Sequence, residues 1–262
     1  MIFSELADGV RTLTLQRPDA GNALTVEMRD DLVREVREAR RDPDTRCVLL
    51  RAEGASFCAG MDLRESTVTK AGTPGFDPRS TAEALRIGVQ TLVRELWELD
   101  KPTVAAVGGA AVGPGAHLAL ACDVVVVSPA ARFLWSFAKW GLVVDAAGAY
   151  LLPRLVGLPR AKAMVLLGDG VRSGEDAVRE GLAYKCVDDV DGEARALASR
   201  LAGGPTRSLG LSKQLLNRTF ETDLTTSLEL EGAYQSLATA SADLVEGMAA
   251  FREKRDPNFS GR

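Results

Sequence analysis

The chain has 262 residues, 32 Lys and Arg against 36 Asp and Glu, a net charge of −4, one His, 46% hydrophobic and 5% aromatic residues. This is the balance of a globular protein long enough to bury a full core without metal or disulfide staples. Neither a nucleic-acid binder, which needs clustered Lys and Arg, nor a stacking platform for bases fits it.

In chain order, Val10–Leu15 alternates apolar and polar residues and predicts a strand, and Arg17–Asn22 is turn-rich. Thr25 suits an N-cap, with Met28, Leu32, Val36 and Ala39 at helical spacing behind it and Asp42-Pro43 as the stop. Cys47–Arg51 predicts a short apolar strand, and residues 66–80 a mobile surface loop. Ala84–Leu99 predicts one helix, with Leu85, Val89, Leu92, Leu96 and Leu99 on its apolar face. Thr103–Val107 and Asp123–Val127 predict buried strands.

Thr103–Cys122 carries no charged residue and is long enough to span a bilayer. However, eleven of its twenty residues are Ala or Gly, and Gly113-Pro114-Gly115 interrupts it. It reads as a strand, a glycine turn and the start of a buried helix. From about Ala194 the strands stop, and Ala194–Leu201, Thr206–Phe220 and Leu224–Lys254 predict helices. Alternating strands and helices place residues 1–193 in the α/β class, followed by a helical region over residues 194–262.

The four cysteines, Cys47, Cys58, Cys122 and Cys186, are far apart, and with a single His they form no zinc-ligand set. They read as buried small hydrophobes in a reducing, cytoplasmic setting. The opening residues have neither the basic nor the apolar stretch of a signal peptide. Gly113-Pro114-Gly115 lacks the third glycine of a dinucleotide fingerprint, so close backbone approach explains these glycines better than nucleotide binding.

Seven segments, in order, carry a resemblance: Leu15–Leu24 (LQRPDAGNAL), Ser56–Leu63 (SFCAGMDL), Lys101–Asp123 with its glycine turn, Phe137–Asp145 (FAKWGLVVD), Leu167–Asp169, Glu180–Leu182 and Phe251–Phe259 (FREKRDPNF). Together the chain resembles the crotonase superfamily, the enoyl-CoA hydratase/isomerase family. The resemblance implies a spiral of ββα turns, a helical C-terminal region that builds trimers or hexamers, and an acyl-CoA thioester substrate. It implies no cofactor beyond the coenzyme A of the substrate, no metal, and neither a nucleic-acid nor a membrane partner.

In such a protein two backbone N–H groups hold the thioester oxygen while enolate charge builds on it. By position one donor is Met61, after Gly60. The other position is Pro114, which has no N–H, so Gly115 is the substitute. The two glutamates of the family's hydratases correspond to His117 and Phe137, so two-carboxylate hydration is disabled. Asp145 matches the acid that moves a proton in isomerase-like members. The resemblance places Arg17, Asn22, Ala23, Leu24, Ala59, Gly60, Asp62, Leu63, Phe137, Trp140, Phe251 and Lys254 along the acyl-CoA.

Each residue also has a plainer reading. Asp145 could cap a helix beginning near Ala146. His117 reads as a neutral base at a helix start or as a hydrogen-bonded core residue that fills the space of the missing glutamate, and the core reading leads. Asp62 could bond local backbone N–H groups. Lys254 and Phe251 could be a solvated helix end. Three functions follow from these residues: a double-bond isomerase working through Asp145, a non-catalytic acyl-CoA-binding homologue, or an ordinary hydratase.

Overall fold

The structure, a computed structural model, describes residues 1–262, the side chains of residues 67 and 68 excepted. Those two lie in the stretch expected as a surface loop, and their side chains fall outside the described residues. In chain order the elements are β1 (Ile2–Ala7), β2 (Val10–Leu15), α1 (Val26–Arg41), β3 (Cys47–Ala52), β4 (Ser56–Cys58), α2 (Arg79–Ile87), α3 (Val89–Trp97), β5 (Thr103–Val107), β6 (Ala110–Val112), α4 (Pro114–Leu120), β7 (Val124–Val127) and β8 (Arg132–Leu134). Then follow α5 (Gly148–Val156), α6 (Leu158–Leu167), β9 (Arg172–Ser173), α7 (Gly174–Glu180), β10 (Lys185–Cys186), α8 (Val190–Ala202), α9 (Thr206–Asn217), α10 (Leu224–Thr239) and α11 (Ala242–Glu253).

Two sheets share these strands. One runs β1-β2-β3-β5-β7-β10 and the other β4-β6-β8-β9, with β1–β2 and β8–β9 antiparallel and the other pairs parallel. The pairs β3/β4, β5/β6 and β7/β8 each place one strand in the first sheet and the next in the second. This repeat is the expected spiral of ββα turns. Gly109 lets β5 pass closely into β6: a Cβ there would sit 1.8 Å from the Ala55 carbonyl oxygen.

The larger core lies among the sheets, α1, α3, α4 and α5, with Trp135, Phe57, Phe133 and Leu13 fully buried. A second core lies on the opposite face of the six-stranded sheet, where Ala194, Ala198 and Ala202 of α8 pack on Cys47, Leu49, Val104 and Val126. The helix α8 therefore crosses the expected 193/194 boundary and belongs to the sheet layer. Its small Ala face lets it lie flat on the strands. The purely helical region starts after it.

Thr25 caps α1 by accepting a hydrogen bond from Met28 N–H at 3.1 Å, as its position predicts. The helix expected over Ala84–Leu99 is instead two helices, divided at Gly88. A Cβ on Gly88 would meet the Ala84 carbonyl and the Arg29 guanidinium, each at 2.5 Å, so the buried Arg29 of α1 fixes the break. The single helix expected over Leu224–Lys254 is likewise α10 and α11, because Ser241 caps a new helix by accepting from Leu244 N–H at 3.2 Å. Thr103–Cys122 forms β5, β6 and α4 rather than one span, and among the described residues no helix is long and apolar enough to cross a membrane. Cys47, Cys58 and Cys122 are buried, with thiols pushed up to about 12 chiefly by burial, while Cys186 is half-buried.

The C-terminal helices are fastened to the core by polar clips. Lys213 of α9 is buried, reaches Asp123 at 2.9 Å and donates to the Leu96 and Lys101 carbonyls at 3.2 and 3.3 Å. Asp123 in turn accepts from the Thr103 N–H at 2.7 Å. On the other side Arg154 of α5 stacks 3.4 Å over the Tyr150 ring and pairs with Glu221 at 2.8 Å. Asp123 is exposed to water, so removing the lysine costs chiefly its buried hydrogen bonds to two carbonyls. Lys213→Ala is therefore expected to cost about 1–3 kcal/mol of stability, read as a lower urea midpoint. An unchanged midpoint would show that α9 is held by other contacts.

Candidate active site

The site is assembled where the two sheets meet the first turn of α4. Residues Gly21 to Leu24 run beside Ala59 to Asp62: Ala59 N–H donates to Gly21 C=O at 2.9 Å, Leu24 N–H to Gly60 C=O at 2.8 Å, and Asp62 N–H to Leu24 C=O at 2.8 Å. In this parallel Leu24–Met61 bridge the partners are the Gly60 carbonyl and the Asp62 amide. The N–H of Met61 is not used in it and points out of the bridge, as a donor for an external oxygen must. Gly60 makes this turn with φ +97°, and a Cβ there would lie 3.1 Å from the Val112 carbonyl and 3.4 Å from Pro114 Cδ.

Across from Met61, Gly113 adopts φ +50° and Pro114 opens α4. Proline at the first helical position wastes no hydrogen bond, because the first N–H groups of a helix have no partner within it. The first intrahelical donor is His117, to Gly113 C=O at 3.1 Å. The amides of Gly115 and Ala116 are left over in the first turn. Gly115 packs so close to β4 that a Cβ would be 2.2 Å from the Cys58 carbonyl oxygen. That approach fixes the first turn of α4 against the strand that leads to Met61.

Arg17, Asn22 and Asp62 brace the Met61 turn. Asn22 is fully buried; its Oδ1 accepts from Arg17 N–H at 2.7 Å, and its Nδ2 donates to the Glu53 and Ser56 carbonyls at 2.8 Å each. Arg17 donates to Ala23 C=O at 2.9 Å and pairs with Asp62 at 2.8 Å. Arg64, which the sequence reading did not single out, pairs with Asp62 at 2.7 Å and donates its backbone N–H to it at 3.0 Å. These bonds, Arg64 first and Arg17 after it, hold the Asp62 carboxyl well below the usual carboxylate range. Asp62 is thus committed to the turn and is no proton carrier at neutral pH.

His117 is fully buried. Trp135 donates its indole N–H to His117 Nε2 at 2.9 Å, and Phe137 stacks on the ring with centroids 6.0 Å apart and planes 7° apart. Burial pulls the imidazole down to about 3. The nitrogen that a base would use is occupied by an indole, so the structure corrects the reading of His117 as a general base. Trp135 is legible in the sequence only as a bulky apolar residue of a pocket or core; its bond to His117 is not, because nothing local marks a partner eighteen positions away.

Asp145 stands on the turn before α5. That helix begins at Gly148 with Ala147 as its N-cap and no side-chain cap, which corrects the reading of Asp145 as a cap. One Asp145 carboxylate oxygen, Oδ1, is buried and has no hydrogen-bond partner among the described residues. Burial raises its carboxyl to about 6. A carboxylate so placed can both take and return a proton near neutral pH. Phe137 is buried, whereas Trp140 is 66% and Val143 82% exposed beside the turn.

Ala59 and Leu63 are exposed next to the Met61 turn. Phe251 and Lys254 stand apart. They lie exposed at the end of α11, and among the described residues no hydrogen bond or ring contact joins them to the cluster. Two surface cavities, of about 680 and 880 Å³, are lined by other residues: the first by α9–α11, the second by the α3, α5 and α9 faces.

These features are those of one family, and the match is direct. The chain belongs to the enoyl-CoA hydratase/isomerase family, whose model matches residues 5–262. It is 42% identical over 267 residues to the 1,2-epoxyphenylacetyl-CoA isomerase of Escherichia coli (strain K12), covering 100% of this chain and 98% of that protein. A Rhodobacter capsulatus protein named "Probable enoyl-CoA hydratase" is 37% identical, covering 98% of this chain and 97% of the relative. Among solved structures, the enoyl-CoA hydratase of Bacillus anthracis superimposes with a TM-score of 0.91 at 28% identity, covering 100% of this chain and 99% of that one.

Proposed function

We propose that the chain is an acyl-CoA isomerase that moves a double bond by proton transfer through Asp145. The observation that carries this reading is the buried oxygen of Asp145, without a partner among the described residues, in a site where Phe137 and an indole-bound His117 stand at the two glutamate positions. On a 3-enoyl-CoA, the Asp145 carboxylate takes a proton from C2. The electrons move into the thioester oxygen, where the Met61 and Gly115 amides receive the charge. Asp145 then returns the proton to C4, and the conjugated 2-enoyl-CoA results. No water is added, so no second carboxylate is needed.

The name of the Escherichia coli relative adds a ring-bearing acyl-CoA to the substrates worth assaying. Trp140, Leu142 and Val143 offer exposed apolar surface beside Asp145 for such a group. A second reading, an acyl-CoA-binding protein without turnover, is favoured by one observation: Pro114 removes an amide from the α4 mouth. Exposed Phe220, Leu224, Val245 and Phe251 support assembly through the C-terminal helices into a trimer or hexamer, with Phe251 and Lys254 reaching coenzyme A. A cytoplasmic location is part of the same reading.

The test compares two reactions of the native chain. Isomerisation of 3-enoyl-CoA is expected to exceed hydration of 2-enoyl-CoA by at least about 10²-fold, the usual worth of a positioned acid or base. Faster hydration would overturn the isomerase reading. Tight binding of both esters with no turnover would establish the carrier reading instead.

A further inference from the structure

We propose that His117 is a positioning residue, held as a single neutral tautomer by Trp135, whose clamped ring sets the turn that carries Asp145. It rests on the isomerase reading only in taking Asp145 as the proton carrier.

The tautomer follows from donor chemistry. An indole N–H only donates, so the nitrogen it meets at 2.9 Å, Nε2, must hold a lone pair. The proton of the neutral ring then sits on Nδ1. Both rings are fully buried, which excludes a charged imidazolium in the working range. Nδ1 makes no hydrogen bond among the described residues, so the ring is held from its Nε2 side and by packing.

The turn lies flush on this ring. A Cβ on Gly148 would sit 2.1 Å from His117 Cε1, 2.3 Å from Nε2 and 2.6 Å from Val144 Cγ2, so only glycine fits. The turn is also strained. Ala146 and Ala147 both adopt left-handed backbone, with φ +45° and +62°, and Gly148 N–H closes onto Asp145 C=O at 2.8 Å. Two such residues in succession cost about 1–2 kcal/mol each and persist only where the surroundings impose them. Here the imposing surface is the His117 ring, clamped between the Trp135 hydrogen bond and the Phe137 stack. Trp135 and Phe137 face the ring from the segment after β8.

His117 is the only histidine in the chain, so its nitrogen signals in a ¹⁵N NMR spectrum of the intact protein need no assignment. The expected spectrum shows Nδ1 protonated and Nε2 bare, unchanged from about pH 5 to 8. A protonated Nε2, or a ring that titrates in that range, would overturn the proposal. Trp135→Phe should mix the tautomers and lower kcat by roughly tenfold with KM within about threefold, as misplacement of a reacting group does. A changed tautomer with kcat untouched would remove the positioning role.

A second pair of variants tests the role even if Trp135→Phe does not fold. Gln places an amide oxygen near Nε2, where it can still accept from the indole, while Met has a similar volume and no such acceptor. Positioning predicts that His117→Gln retains more kcat than His117→Met. Equal rates mean the ring only fills space and overturn the proposal. Should the native chain show the expected spectrum yet isomerise no enoyl-CoA, the assignment of the reaction fails and the tautomer assignment stands.

Discussion

Asp145→Asn is expected to lower the isomerisation rate by at least about 10²-fold while making the protein more stable at neutral pH. Both effects have one cause. Burial raises the carboxyl from 3.8 to about 6, so the folded protein binds this proton more tightly than the unfolded chain does. The stability this gives is complete below the unfolded value and is lost as pH rises from about 4 to about 6. Above that the ionised carboxylate leaves a deficit of up to about 3 kcal/mol. Asn carries no charge to desolvate and should recover part of it.

His117 titrates with the opposite sign, because its folded value is depressed to about 3 and its contribution is lost as pH falls below the unfolded value of 6.5. The informative quantity is therefore the difference between variant and native chain, in which His117 cancels. Urea unfolding at equal protein concentration should give a difference that grows from pH 4 to pH 7. A variant with native kcat would remove Asp145 from the reaction. A stability difference independent of pH would mean that its carboxyl is not desolvated.

Gly115→Ala is the second large effect. The added methyl would be 2.2 Å from the Cys58 carbonyl oxygen and 2.8 Å from its carbon, both backbone atoms that a rotamer change cannot relieve. The first turn of α4 must withdraw from β4, and the spacing between the Gly115 and Met61 amides changes with it. A lost oxyanion donor costs about 10²–10³ in kcat, and overpacking a core contact costs about 1–3 kcal/mol. The expected result is a fall of at least about 10² in kcat/KM with a lowered urea midpoint. A variant with native turnover would mean that the thioester oxygen is held by some other group.

Much of this molecule is written locally in its sequence. Thr25 announces α1, the charge-free stretch from Thr103 breaks at Gly113-Pro114-Gly115, and the valines of β7 read as a buried strand. What escaped depends on contacts made across the chain. The division of α2 from α3 at Gly88 comes from Arg29, almost sixty residues earlier, and no helical periodicity encodes that approach. Ser241 was hidden by the continuous apolar pattern on either side of it. The assignment of α8 to the sheet layer depends on an Ala face finding the strands.

The site divides the same way. Gly60, Met61, Gly115 and Asp145 stand as candidates by position, because the chemistry proposed for them lies in the backbone or in one carboxylate. Neither the indole on His117 nor the Arg64 bond to Asp62 could be read, since each depends on how two segments are brought face to face. The capping alternative for Asp145 failed because Ala146 and Ala147 turn left-handed first and delay the helix to Gly148.

The most direct test is a crystal structure with a non-isomerisable acyl-CoA thioester bound. The thioester oxygen is expected within about 3 Å of both the Met61 and Gly115 amide nitrogens, with the Asp145 carboxylate facing C2 and C4 of the acyl chain. An oxygen out of reach of both amides, or an Asp145 turned away from the acyl carbons, would contradict the assignment of this chain as a proton-transferring isomerase.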